Sequence, residues 1–257
     1  MLSINRQCFF VLMVGAFLVT GCQTLDNELA EKDKLPLEPV IELTPMEKLH
    51  QSPNNYLLST PDITPDVVQR FKLALLSVNN KEWDRAKEQL LAVTIAAPTL
   101  SGPWLQLGDI AVEELAKEHA IAHYQQAIYV NELNYFAHNR LATLLREKGE
   151  FEQAKAHYEK ALTAWPAFVT ARQNLAILLD IYMGQQSAAL KEYETVAALS
   201  ALNGQSESRQ LKGWIADLSR RVAAQEKREQ RLAAPLKTSM EYSSKNDTGR
   251  EQGERHE

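Results

Sequence analysis

The chain has 257 residues, with 28 Lys and Arg against 33 Asp and Glu and a formal net charge of −5. No global basic field is present to recruit nucleic acid or an anionic lipid surface. The charges are interleaved rather than blocked, the pattern of solvated helix faces. The length is enough for one sizeable core plus tails.

The N-terminus carries an address. Met1 to Gln7 has Arg6 as its only charged side chain, and Cys8 to Val19 follows without a charge. That run has the length of a secretory h-region, and a spanning helix would need roughly 20 apolar residues. It closes on Val19-Thr20-Gly21-Cys22, which resembles the lipobox of bacterial lipoproteins. The resemblance implies removal of residues 1–21 and a diacylglyceryl thioether on Cys22, so that covalent lipid is the membrane attachment. An ordinary secretory signal with a coincident cysteine is the alternative. Gln23, where Asp would retain the protein at the inner membrane, resembles Gram-negative sorting to the outer membrane, with the domain facing the periplasm. Loss of Arg6 takes the net charge from −5 to −6. With Cys8 removed and Cys22 acylated, no thiol remains for a disulfide, metal site or nucleophile.

Residues 22–63 read as the lipidated N-terminus and a tether. Prolines at 36, 39, 45, 53 and 61 and few apolar clusters predict an extended, semi-rigid segment. Fully extended, it reaches roughly 100 Å at ~3 Å per residue. Thr44-Pro45-Met46-Glu47 is a capping box with proline at the first helical position, predicting one short helix within it.

From Thr64-Pro65, a good N-cap and N1 pair, helix-period apolar positions run to about residue 222. Four segments begin at Val67, Ser101, Tyr135 and Val169, each 34 residues after the last. The eighth position is Ala74, Gly108, Ala142 and Ala176. The twentieth is Ala86, Ala120 and Ala154, then Ala189 if one residue is inserted in the fourth turn, around Gly184. Two helices that cross closely require small residues at both places. Leu73, Leu107, Leu141 and Leu175 fill the seventh position, and Leu90, Tyr124, Tyr158 and Tyr193 a large site on the second helix. Trp104-Leu105-Gln106-Leu107-Gly108, the turn Gly149-Glu150-Phe151 and the closing Pro166 resemble the tetratricopeptide (TPR) repeat in period and phase. The resemblance implies an all-α solenoid of about four helix-turn-helix units, spanning 64–222 with its cap. The first and last units depart from the pattern, as terminal units do.

After Asn203-Gly204, a helix stop, Leu211, Trp214, Ile215, Leu218 and Val222 share one helical face. This predicts a C-terminal helix capping the open end of unit four, a partner-binding helix being the alternative. Residues 223–257 read as a charged helix extension followed, beyond Ala234-Pro235, by a disordered tail.

A search for catalytic chemistry finds no convergent set. His119 and His123 have metal-compatible spacing but lack a third ligand. His157 recurs at the register of His123, and His138 takes a position where a packed, hydrogen-bonded side chain is expected. Glu113 and Glu114 are adjacent on a helix and do not face one another. No phosphate-binding or nucleophile-elbow motif occurs. The expectation is a non-enzymatic protein without cofactor, metal or small-molecule substrate.

Binding is what such a solenoid offers. By resemblance to the TPR family, positions two, five, nine and twelve of each first helix face the groove. The groove residues are then Phe71, Leu75 and Val78 in unit one, and Leu105, Asp109 and Val112 in unit two. Phe136, Asn139, Thr143 and Arg146 follow in unit three, with Gln173 and Ile177 in unit four. The first half is apolar, and Asn139, Arg146 and Gln173 could hydrogen-bond a peptide backbone. Alternatively Phe71, Leu75 and Val78 pack on the tether or its short helix. The chaperone-binding TPR subfamily places Lys and Asn where Phe71 and Leu75 stand, so its carboxylate clamp is absent. The whole resembles the TPR lipoproteins of Gram-negative envelopes, which implies a scaffold holding a segment of an envelope protein. One version is a pilotin-like assembly factor, although pilotins carry more repeats. A structural tether that self-associates through its solenoid ends is the rival.

Overall fold

The computed structural model describes residues 42–59 and 61–250, with side chains as far as Ala233. The signal segment, Cys22 and the tether up to residue 41 lie outside the described residues. Two short helices, α1 (Pro45–His50) and α2 (Asn55–Leu58), precede the repeats. Then α3 (Pro65–Asn79) packs on α4 (Trp83–Ala96), α5 (Gly102–Glu113) on α6 (Lys117–Val130), and α7 (Tyr135–Glu147) on α8 (Phe151–Ala164). The fourth pair is α9 (Val169–Ile177) and α10 (Gln186–Leu202), and α11 (Arg209–Arg250) packs on α10. Among the described residues there is no strand, in keeping with the all-α expectation.

The pairs form where the sequence places its small residues. Ala74, Ala86, Ala120, Ala142, Ala154, Ala176 and Ala189 are all fully buried. Gly108 shows why: a Cβ there would lie 2.4 Å from Cε1 of the Tyr124 ring. The turns within the first three pairs share one geometry. Lys81, Leu115 and Gly149 hold left-handed backbone at φ 60°, 60° and 86°. The next N–H returns to a carbonyl five residues back: Glu82 to Ser77, Ala116 to Ala111, Glu150 to Leu145. That bond satisfies a carbonyl otherwise orphaned at the helix end.

The extra residue of the fourth unit is not absorbed in its turn, as expected, but within its first helix. Leu178–Tyr182 forms a π-helical turn, with Met183 N–H bonded to the Leu178 carbonyl. A one-residue insertion is accommodated there by an i→i+5 bond, which keeps Leu175, Leu178 and Leu179 buried.

The tether expectation needs correction from residue 43 on. The capping box at Thr44 forms α1 as expected, but the segment packs as a strap along the solenoid. His50 Nε2 bonds Asn203 Oδ1 at 2.9 Å, beside α10. Tyr56 meets Tyr135 edge-to-face at 5.8 Å, and its hydroxyl bonds Ser101 Oγ at 3.2 Å. Ser59 accepts from Asn131, and Ile63 packs on Val67, Val93, Ala97 and Leu100. The strap therefore runs from the last pair back to the first. Its prolines disfavour helix, while Tyr56 and Ile63 supply the apolar anchors.

The capping face of α11 forms as expected. Leu218 is fully buried, Leu211 and Val222 nearly so, and Trp214 lies 5.4 Å from Tyr193. The expected tail is helical instead, since α11 continues through Pro235 to Arg250. Helix formers carry it to Ala234; nothing in the structure explains its persistence past the proline.

Unit three holds a buried histidine pair. His138 is 1% exposed, its Nε2–H donating to the Glu132 carbonyl at 2.9 Å. Its Nδ1 then accepts from His157 Nδ1–H, also at 2.9 Å. Burial lowers both pKa values, His138 to about 4, with Lys160 opposing protonation of each.

Two predictions follow from this packing. Gly108→Ala drives a methyl into the Tyr124 ring and should destabilise the fold by about 1–3 kcal/mol, measured by urea unfolding. The histidines bind protons more readily unfolded than folded. Their stabilisation is therefore complete above about pH 6.5 and lost as pH falls toward 4, with His138 contributing on the order of 3 kcal/mol. Urea midpoints measured across that window should fall in the parent and fall less in His138→Gln.

Candidate functional site: the cleft of the first helices

A cleft of about 540 Å³ opens where the C-terminal halves of α3, α5 and α7 lie side by side. Of the groove candidates it gathers Val78, Asp109, Val112 and Thr143, from positions nine and twelve. Val112 is exposed and Val78 half-buried, which gives the cleft an apolar side wall.

Its polar floor is built from the core outward. Tyr124 is fully buried, yet its hydroxyl reaches through to donate to Asp109 Oδ1 at 2.7 Å. Burial pushes the Tyr124 phenol far up, and the Asp109 carboxylate adds to the effect. Arg140 on α7 reaches the same carboxylate through Nε at 2.7 Å, joining unit two to unit three. One unit further along, Thr143 Oγ1 and the Tyr158 hydroxyl lie 3.1 Å apart. Glu147 of the lining is bridged by Lys117 at 2.7 Å.

The other candidates do not line this cleft. Phe71 is half-buried, its ring covering Gly102. It packs with Val67 and Val93, in the cluster that Ile63 of the strap also joins. Met46 and α1 lie on α10 rather than on α3. Leu105 is buried, and Leu75 is half-buried. Asn139 is buried too, with Asn174 Nδ2 donating to its Oδ1 at 3.0 Å, so its acceptor is engaged between units. Phe136 packs against Tyr135 with centroids 4.1 Å apart and the rings tilted by 31°. Arg146 stands over the Tyr182 ring at 6.0 Å. Gln173 is half-buried, and Ile177 packs on the main core.

The cleft also includes residues the sequence reading omitted: Trp83, Gln106, Glu113, Arg140, Leu144 and Glu147. Gln106 and Arg140 share position six, and Glu113 and Glu147 share position thirteen. That seven-residue spacing puts both on the flank of the helix beside position nine, a signal readable from the register.

His119 is exposed, and His123 stacks beside Trp104 at 5.9 Å. Among the described residues no three His, Cys, Asp or Glu side chains are arranged to hold a metal ion, nor is any helix long and apolar enough to cross a membrane.

Residues 137–167 match the family model described as tetratricopeptide repeat. None of the curated proteins matches the chain. Among solved structures, pilF of Pseudomonas aeruginosa aligns at 18% identity with a TM-score of 0.52, covering 62% of this chain and 69% of the other. MamA from Desulfovibrio magneticus RS-1 aligns at 13% identity and a TM-score of 0.51, covering 63% and 88%. A crystal structure of MamA protein aligns at 23% identity and a TM-score of 0.46, covering 52% and 73%. At such identities the likeness is one of fold, and the fold of this chain is an all-α solenoid of the tetratricopeptide type.

Proposed function

We propose that the chain is a non-enzymatic interaction scaffold, anchored to the outer membrane by lipid on Cys22, whose cleft holds a segment of an envelope protein in the periplasm. The observation that carries the reading is the cleft itself, with an exposed apolar wall at Val112 beside a polar floor already ordered by Tyr124, Asp109 and Arg140. Such a surface suits an extended or helical segment that inserts an apolar anchor and pairs its backbone with Gln106 and Arg140. The lipobox-like Val19-Thr20-Gly21-Cys22 supports the address.

In-cell crosslinking of the tagged chain, read by mass spectrometry, tests the cleft. Val112→Arg with Gln106→Ala alters exposed and half-buried cleft residues while leaving the buried core in place. Recovery of an envelope protein should fall about tenfold or more, as for truncation of a binding hot spot; equal recovery from parent and variant overturns the assignment. A secretin subunit among the captured proteins would select the pilotin-like version. Separately, Cys22→Ala should move the chain from the membrane to the soluble periplasmic fraction, and retention in the membrane would remove the lipid anchor from the reading.

A further inference from the structure

The two ends of the solenoid are finished differently. In the interior, positions seven and ten of each first helix lie under the preceding pair. Leu107 and Ile110 are 3% and 1% exposed, Leu141 and Leu144 are 1% and 7%, and Leu175 and Leu178 are 5% and 0%. Their counterparts in the first pair, Leu73 and Leu76, are 46% and 55% exposed. At the other end the corresponding stacking surface is closed by α11, through Leu211, Leu218 and Val222. Head-to-tail stacking of copies is thereby blocked at the α11 end.

Position three shows that no ordinary unit stacks on the exposed leucines. It is a buried Pro103, Ala137 or Ala171 in the interior pairs, where a neighbouring helix presses against it. In α3 it is Gln69, exposed. Position fourteen is Asn80, also exposed, with Nδ2 donating to Glu82 at 3.3 Å and Oδ1 left as an acceptor. The stripe along α3 is thus Gln69, Leu73, Leu76, Asn80, at intervals of four, three and four. It is uncharged and reads amide–leucine–leucine–amide in both directions.

A stripe with that order is self-complementary under one operation. When a second α3 lies antiparallel across the point midway between Leu73 and Leu76, Leu73 meets Leu76 of the second copy, and Gln69 meets Asn80 of the second copy. The 4-3-4 spacing is that of a coiled-coil seam, and the symmetry is that of a closed two-fold interface. We infer that this chain pairs with a second copy of itself through α3, head to head, with Leu73 and Leu76 as the apolar centre. None of these four residues lines the cleft, although Asn79 and Lys81, on either side of Asn80, do.

Sedimentation equilibrium of the full chain in density-matched detergent tests the pairing. The parent should reach twice the monomer mass as concentration rises, and Leu76→Glu should stay monomeric throughout. The antiparallel register is tested by charge. Gln69→Lys with Asn80→Glu places opposite charges face to face and should keep the dimer. Gln69→Lys with Asn80→Lys places like charges together and should abolish it. All four positions are exposed, so helical circular dichroism, and thermal midpoints taken at concentrations where the parent is monomeric, should match the parent. A parent that is monomeric at every concentration overturns the inference. So does a dimer indifferent to Leu76→Glu, which puts the contact elsewhere, or one that responds equally to both charge pairs.

Discussion

The close crossing of two helices, with a small residue of the first against a large side chain of the second, is the constraint on which the rest of this molecule depends. At Gly108 the contact is so tight that the Tyr124 ring occupies the place of a methyl group. Ala142 and Ala176 share one core with Tyr158 and Tyr193, and Ala74 shares another with Leu90. A larger side chain at any of these places would force the backbones apart. The pairs would then no longer present the flat leucine faces on which their neighbours stack.

The same contact builds the cleft. A tyrosine ring buried between two helices has a hydroxyl that must find a partner, and the nearest polar atom outside the core belongs to position nine of the first helix. In unit two that atom is the Asp109 carboxylate, and in unit three it is the Thr143 hydroxyl. Position nine is therefore held from beneath in both units, and Arg140 ties unit three to Asp109 of unit two. Val112 and the flanking positions six and thirteen remain as the outward-facing part of the lining. Unit one has Leu90 where the tyrosine stands and Leu75 at position nine, so its share of the cleft comes from Val78, Asn79, Lys81 and Trp83.

How much of this was legible depends on the range of the forces involved. The 34-residue phase, the small residues and the cap at Thr64 are local or periodic, and the structure reproduces them. The face of α11 was legible for the same reason. The strap was not, because proline-rich composition reports backbone preference. The partners of His50 and Tyr56, by contrast, lie 153 and 45 residues away. The extra residue of unit four was countable, but its place was not. Relief inside the helix as a π turn keeps three leucines buried, a tertiary gain that no local signal carries. Left-handed backbone at Gly149 reads from glycine, whereas Lys81 and Leu115 adopt it against a cost of about 1–2 kcal/mol because the repeat imposes the turn. Of the groove candidates named by family position, Val78, Asp109, Val112 and Thr143 line the cleft. Asn139 does not line it, because its side chain is buried and accepts from Asn174 of the next unit.

The strap gives the solenoid a direction. Because it runs from α10 back to α3, the chain enters the folded unit beside its capped end, and the bare leucines of α3 lie at the opposite end. In the proposed pair the two entry points stand at the outer extremes of a doubled solenoid, related by a two-fold axis. Were Cys22 lipidated as proposed, an axis normal to the membrane would let both lipids insert in one surface. The two proposals do not depend on one another: lipid on Cys22 would fix where the doubled solenoid sits, and Val112 and its neighbours would decide what it holds.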